Sequence, residues 1–365
     1  MNITPDSTKR ILHVVAGSGQ GGAETYCLDM IKALHEAGIR QHVICRPHAH
    51  YLEAFRQRGI PFDTLSFSVF EKFIRGPALI RKTVAAFRPD LVHAWMGRAA
   101  SFIPRNISVP VLGWFGGYYD LKRYRACDFF MGVTRDIVRH IGDKCGHPEQ
   151  VFLVHTFGTL EDAPPVDRRA LSTPNSAPVV LLLSRMHWKK GVDTLLHAAA
   201  KLPGVYFWLA GDGPDIEKYK RLSTRLNLDD RVRFLGWRHD RAALLKSANV
   251  CVLPSRYEPF GTVIAESWYA RTPLVAARAA GARQYVTHMK DGLLCEIDDT
   301  DGLAQQIHAV LSSDDLVGKL VTGGTETYES LFSKNVVVKS MLDAYGKIIG
   351  EGKDGFSLPK QRNIS

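Results

Sequence analysis

Cysteine pairs are missing from this chain: Cys27, Cys45, Cys127, Cys145, Cys251 and Cys295 are scattered over 365 residues and form no Cys-x-x-Cys. That spacing excludes a disulfide-built scaffold and a cysteine-built zinc site, and it suits a reducing compartment. Long apolar runs are missing too. None approaches the ~20 residues of a membrane-spanning helix, and Ile11–Ala16 is too short for the core of a secretory signal. A cytoplasmic protein is expected. There is no basic tail: the net charge is +10, yet residues 1–170 carry 22 basic and 16 acidic side chains and the remainder 25 and 21. Charge spread in this way suits phosphorylated ligands or an anionic membrane surface better than a DNA groove, so no nucleic acid partner is expected.

What the chain does have is a steady alternation of β-rich and helical segments. Ile11–Ala16 reads as a buried strand, Ala23–Glu36 as an amphipathic helix closed by Gly38, and His42–Cys45 as the next strand. Strands at Asp90–Ala94, Pro110–Trp114, Phe129–Val133 and Gln150–Val154 continue the rhythm. Glu161–Pro178, rich in Pro, Ser and charge, reads as a linker. The pattern then restarts at Val179–Ser184 and runs through strands at Val205–Ala210, Val232–Leu235, Val250–Leu253 and Leu274–Ala277. The fold class is α/β: two tandem Rossmann-like doubly wound domains facing a cleft. They are expected over 1–170 and 177–332, with a final helix over 333–350 that could cross back to the first.

Gly17-Ser18-Gly19-Gln20-Gly21-Gly22 follows the first strand and fits G-x-G-x-x-G. A dinucleotide site also needs an acid after the second strand, and that strand ends Cys45-Arg46-Pro47. A nicotinamide or flavin cofactor is therefore disfavoured, which leaves a tight turn or a loop admitting another substrate. The densest signal is Ser255-Arg256-Tyr257-Glu258-Pro259-Phe260-Gly261-Thr262-Val263-Ile264-Ala265-Glu266. Were the intervening residues all helical, the two glutamates would stand roughly 12 Å apart, wider than the paired carboxylates of a glycosidase. They could instead grip the two ends of a nucleoside diphosphate sugar while the N–H groups of Gly261, Thr262 and Val263 hold the diphosphate. Equally, Glu266 could be a solvated helix residue and Glu258 a partner of the helix dipole.

Here the chain resembles a known family. Glu258 and Glu266 stand as the E-x7-E motif of retaining GT-B glycosyltransferases of family 4. Arg185 and Lys190 match that family's basic pair, Gly211-Asp212-Gly213-Pro214 its glycine turn, and Gly21-Gly22-Ala23-Glu24 its N-terminal loop. The resemblance implies an enzyme, a hexosyltransferase moving sugar from a nucleotide sugar, most often a UDP-sugar, to a glycan or lipid-linked hydroxyl. The context it implies is bacterial lipopolysaccharide or envelope polysaccharide synthesis. It further implies Glu258, Arg185 and Lys190 as catalytic residues, the cations neutralising the diphosphate. Gly21, Gly22, Gly211, Gly213, Pro259, Phe260, Gly261, Thr262 and Glu266 would bind the donor, Glu266 through the ribose. No metal and no cofactor are implied. A nucleotide-sugar 2-epimerase on the same fold is the alternative. Two departures stand out: no histidine occurs in Phe115-Gly116-Gly117-Tyr118-Tyr119, and Gln284 occupies a position where many members carry Glu.

For the acceptor, His93 at a strand end and the aromatic and cationic run Tyr118, Tyr119, Lys122 and Arg123 are the candidates, a core histidine being the plain reading of His93 and a solvated helix that of the run. Phe70-Glu71-Lys72-Phe73-Ile74-Arg75 with Arg81-Lys82 has the character of an interfacial helix, consistent with peripheral contact at the inner face of the plasma membrane. A helix packed on its own sheet would look the same. Asp299-Thr300-Asp301 spells D-x-D but precedes a helix, and reads as an N-cap rather than a metal site.

Overall fold

The computed structural model describes residues 9–17, 22–47, 49–158, 160 and 163–351. They form two compact units, residues 1–156 with 334–365 and residues 157–333. The first holds β1 (Arg10–Val15), β2 (Arg40–Cys45), β3 (Phe62–Thr64), β4 (Leu91–Trp95), β5 (Val111–Phe115), β6 (Phe129–Gly132) and β7 (Val151–Leu153). The second holds β8 (Val179–Leu183), β9 (Tyr206–Ala210), β10 (Val232–Gly236), β11 (Val250–Leu253), β12 (Leu274–Ala277) and β13 (Leu293–Cys295). The sheet orders are β3-β2-β1-β4-β5-β6-β7 and β10-β9-β8-β11-β12-β13, with every strand pair parallel.

Parallel sheets are covered on both faces, so their strands read as unbroken apolar runs. Strand β8 shows this. Val180 and Leu182 join Phe207, Leu209 and Leu195 in one core layer, while Val179 and Leu181 join Trp208 and Leu244 in the other. In each sheet the chain reverses its winding between two central strands, β1 and β4 in the first and β8 and β11 in the second. Such points open a crevice at the carboxyl ends of the strands, where doubly wound folds bind ligands.

The stretch expected as a linker, 161–178, lies in its described part, 163–178, within the second unit. Val166 N–H donates to Ser247 Oγ at 2.8 Å, Arg168 donates twice to the Ser247 carbonyl, and Val166 and Leu171 pack on the second core. The final helix, Lys334–Glu351, belongs with the first unit. Val337, Val338, Met341, Ala344, Tyr345 and Ile348 form its buried stripe at helical spacing. Tyr345 Oη lies 2.7 Å from His93 Nδ1. Beside them, Trp95 Nε1 donates to His13 Nδ1 at 3.1 Å, and His13 Nε2 is 2.8 Å from Gln41 Oε1. Burial holds the His13 imidazole down at about 3, so it stays neutral and this core network carries no charge.

The expected interfacial helix is broken. Residues Phe70–Lys72 form one 3-10 turn and a separate helix starts at Arg75. Pro77 explains the break: proline fits a helix's first turn and not its interior, so the helix cannot extend upstream. Val69, Phe70, Phe73 and Ile74 are left standing into solvent, 72%, 91%, 75% and 78% exposed. Among the described residues no helix is long and apolar enough to cross a membrane.

Candidate functional site

The loops leaving β8, β9, β10 and β11 carry the residues of interest in the second unit, and all leave from carboxyl strand ends. After β8, Ser184–Gly191 is zipped to the loop after β9: Met186 N–H donates to the Asp212 carbonyl and Asp215 N–H to that of Met186. This closeness requires glycine twice. A Cβ on Gly211, whose φ is +142°, would lie 1.9 Å from Ser184 O, and one on Gly213 would lie 2.4 Å from Met186 O. Arg185 projects from this pair of loops, exposed, and pairs with no carboxylate among the described residues. Lys190, at the end of a 3-10 turn, reaches Glu258 instead, with Nζ 2.5 Å from Oε2.

Glu258 and Glu266 do not share a helix. The helix spans Thr262–Tyr269, so Glu258 sits in the turn before it and the all-helical spacing estimate does not apply. That turn is held from behind: Gly281 N–H donates to the Glu258 carbonyl at 2.8 Å, and a Cβ on Gly281 would meet Phe260 O at 2.0 Å. Phe260 is 7% exposed, its ring packed on Tyr285 and Phe332, so it anchors the turn and can offer a ligand little beyond its backbone. Pro259 is half-buried, Gly261 caps the helix in a left-handed conformation, and Thr262 is exposed at its first turn.

Glu266 is the least expected member. It is 2% exposed rather than solvated. Its Oε1 accepts from Arg241 Nη1 at 2.5 Å, while Oε2 is buried with no hydrogen-bond partner among the described residues. Burial pushes its carboxyl above the usual carboxylate range, and the Arg241 guanidinium opposes that shift. A buried oxygen without a donor is rare in native proteins and marks a place where a ligand or water supplies one. Arg241 opens the helix after β10, and no spacing in the sequence tied it to Glu266. Arg256, also unforeseen, donates to both carboxylate oxygens of Asp193 and pairs with Asp298, tying the Glu258 turn to the helix after Gly191. Gln284 Nε2 donates to the Ala280 carbonyl within its own short helix.

In the first unit Gly21 lies outside the described residues. Gly22 opens the helix Gly22–Glu36, exposed and with nothing near the place a Cβ would occupy. Gly17 is constrained, since a Cβ there would lie 2.3 Å from Glu24 Cγ. His93 does not face a ligand groove. It is fully buried against Trp95 and Tyr345, because both faces of β4 are covered by the core. Tyr118, Tyr119 and Arg123 line a cavity of about 580 Å³ that also takes in Glu24, Arg46 and Arg98. Lys122 is outside its lining, in a 3-10 turn that replaces the solvated helix. Asp299 Oδ1 accepts from Gly302 N–H as the N-cap of Thr300–Leu311, and Asp301 pairs with Lys201.

Comparison with known proteins places this geometry. Residues 20–157 match the family described as Glycosyltransferase Family 4, and residues 165–327 that described as Glycosyl transferases group 1. The lipopolysaccharide core biosynthesis glycosyltransferase LpsD of Rhizobium meliloti (strain 1021) is 30% identical over 93% of this chain and 98% of its own. LpsE of the same organism is 32% identical over 88% and 95%. The crystal structure of Anabaena Alr3699/HepE with UDP is similar at a TM-score of 0.80 and 22% identity, over 93% of this chain and 100% of that one. The lipopolysaccharide outer core galactosyltransferase WaaB gives a TM-score of 0.69 at 18% identity, over 93% and 100%. The two-sheet architecture is that of the GT-B fold, and the chain belongs to glycosyltransferase family 4, as an enzyme of that class.

Proposed function

We propose that this enzyme moves a hexosyl group from a UDP-sugar to a hydroxyl of a lipopolysaccharide-core or related glycolipid acceptor, with retention at the anomeric carbon and no bound metal. Glu266 carries the reading: a buried carboxylate with one oxygen held by Arg241 and the other without a donor among the described residues, at the winding reversal of the second sheet, suits the hydroxyls of a nucleotide ribose. Arg185 and Lys190 would face the diphosphate, and the backbone of Gly211, Gly213, Gly261 and Thr262 would border it. Negative charge on the diphosphate grows as the bond to the sugar breaks, so these cations act more strongly in the transition state than in the ground state. The acceptor oxygen bonds to the anomeric carbon as the sugar–phosphate bond breaks, and its proton passes to the departing phosphate. No protein base is then needed, which is compatible with the lack of a histidine after β5. Glu258, paired with Lys190, would hold donor-sugar hydroxyls. The UDP seen in HepE and the pathway of LpsD and LpsE support the donor and acceptor classes.

The test is transfer from UDP-hexoses to deacylated lipopolysaccharide core, followed by NMR of the new linkage. The expected product keeps the donor's anomeric configuration, at a rate unchanged by a chelator. An inverted product refutes retention, and epimerised free sugar formed without acceptor supports the 2-epimerase alternative instead.

Membrane contact rests on a separate observation. Val69, Phe70, Phe73 and Ile74 stand into solvent within six residues, beside Arg75, Arg81 and Lys82, all exposed. Burying one such apolar side chain contributes about 1.5–3 kcal/mol, and each cation near an anionic leaflet about 1 kcal/mol. The protein should co-sediment with phosphatidylglycerol vesicles at low salt, and the Phe70→Ser/Phe73→Ser double variant should bind about tenfold more weakly or worse. Unchanged binding by that variant refutes the contact.

A further inference from the structure

We propose that the cavity of the first unit is an oxyanion subsite, in which Arg46, Arg98 and Arg123 hold a carboxylate or phosphate group carried by the acceptor sugar. The assignment relies on the transferase reading only in calling the bound sugar the acceptor.

The three arginines come from three different strand ends: Arg46 follows β2, Arg98 follows β4 and Arg123 follows β5, around the winding reversal of the first sheet. Arg46 Nε donates to the Ala16 carbonyl at 2.9 Å, which fixes the guanidinium and leaves its two terminal nitrogens for another partner. Among the described residues none of the three has a carboxylate within ion-pair distance. In the second unit, by contrast, Arg238, Arg241 and Arg256 all do. Burial first, and then repulsion from the positive charge of Arg98, hold the Arg46 guanidinium below its usual range, against a smaller opposing pull from Glu71. An anion placed among them relieves that repulsion and can accept paired N–H donors in the fork geometry that guanidinium offers.

The backbone around the cavity is shaped for this arrangement. Met96 has φ +69°, a left-handed conformation uncommon for a long side chain, and it turns the chain from β4 so that Gly97 and Arg98 border the cavity. Gly97 lets Arg123 lie close, since a Cβ there would be 3.2 Å from Arg123 Cδ. Tyr118, set edge-on to His140, gives one wall an aromatic surface for a sugar ring. Of the two acids present, Asp120 already accepts from Lys122 N–H, and Glu24 is available to a sugar hydroxyl. At about 580 Å³ the space suits one or two sugar rings.

The test is calorimetric titration of the full chain with glucose 6-phosphate, glucuronate and glucose at low salt. Both acidic sugars, or one of them, should bind at least tenfold more tightly than glucose, and which of the two binds better identifies the oxyanion as phosphate or carboxylate. Arg98→Gln/Arg123→Gln should lose that advantage while its melting temperature and its UDP affinity stay those of the wild type. Arg123→Lys, which keeps the charge and loses the fork, should fall between. Equal binding of glucose, or wild-type binding by the double variant, overturns the proposal. So does a parallel loss of UDP affinity, which would assign the arginines to the donor diphosphate. If acidic sugars bind as expected and no UDP-sugar is ever transferred, the transferase reading fails and the oxyanion site stands.

Discussion

Replacing Glu266 with Gln should weaken UDP binding by about 10- to 100-fold, measured by calorimetry, while leaving the melting temperature of the ligand-free protein within a degree or two. The first half follows from Oε2, which is buried and has no donor among the described residues, so a hydroxyl hydrogen-bonded to it gains a charge-assisted bond of about 1.5–3 kcal/mol. The second half follows from the raised carboxyl. Its folded-state pKa lies above the ordinary glutamate value, so the ligand-free fold holds the proton more tightly than the unfolded chain does. Stability from this group is therefore present at low pH and is lost as pH rises from the ordinary value through the raised one. An amide removes the cost of burying a charge together with the charge attraction to Arg241, while still accepting from that guanidinium, so the two changes offset and the melting temperature stays put. Glu258→Ala is the control. It should keep UDP affinity within about threefold and slow transfer, and equal loss of both properties in both variants would refute the division of roles.

Lys190→Ala should lower kcat by about 10²–10³ with little change in donor KM, the size seen when one preorganised donor to a developing anion is removed. Lys190 is held by Glu258 at 2.5 Å, with both side chains mostly buried. The pair keeps the ammonium in place before the donor arrives, so little reorganisation remains to be done as charge develops. Lys190→Arg should recover only part of the rate, since a planar guanidinium in a slot fitted to an ammonium moves the charge. A variant whose loss lies wholly in KM would show that Lys190 binds ground and transition states equally, and would remove it from the catalytic set.

Much of the architecture was legible because buried parallel strands leave a strong mark. The Val- and Leu-rich run of β8 and the Gly-ended helix after β1 could hardly be read otherwise. The three-residue strands Phe62–Thr64 and Leu293–Cys295 are not among the expected strands, being too short to show a period, whereas Val151–Leu153, equally short, is found through the apolar residues around it. Of the two readings open for His93, acceptor contact or a core histidine, the structure has the second, and for the reason that makes its strand easy to find. A strand covered on both faces gives its polar residue no open side, so a histidine near its carboxyl end is enclosed rather than presented. Within the second unit Arg185 and Lys190 lie in one loop segment, and Glu258 and Glu266 in a turn and the helix it opens, and both local patterns are dense enough to notice. Arg241 and Arg256 act through partners distant in sequence, as Arg46 and Arg98 do around their cavity, and only the winding order of the strands brings such residues together.

The tail helix gives the first unit an unusual schedule of assembly. Because Tyr345 hydrogen-bonds the Nδ1 of His93 and the stripe from Val337 to Ile348 seals one side of that sheet, the unit begun first on the ribosome is the last to close. Throughout synthesis of residues 157–333 the nascent amino-terminal layer must wait with an apolar flank bare, open to chaperones or to wrong partners, and a clone ending near residue 156 should inherit that condition permanently.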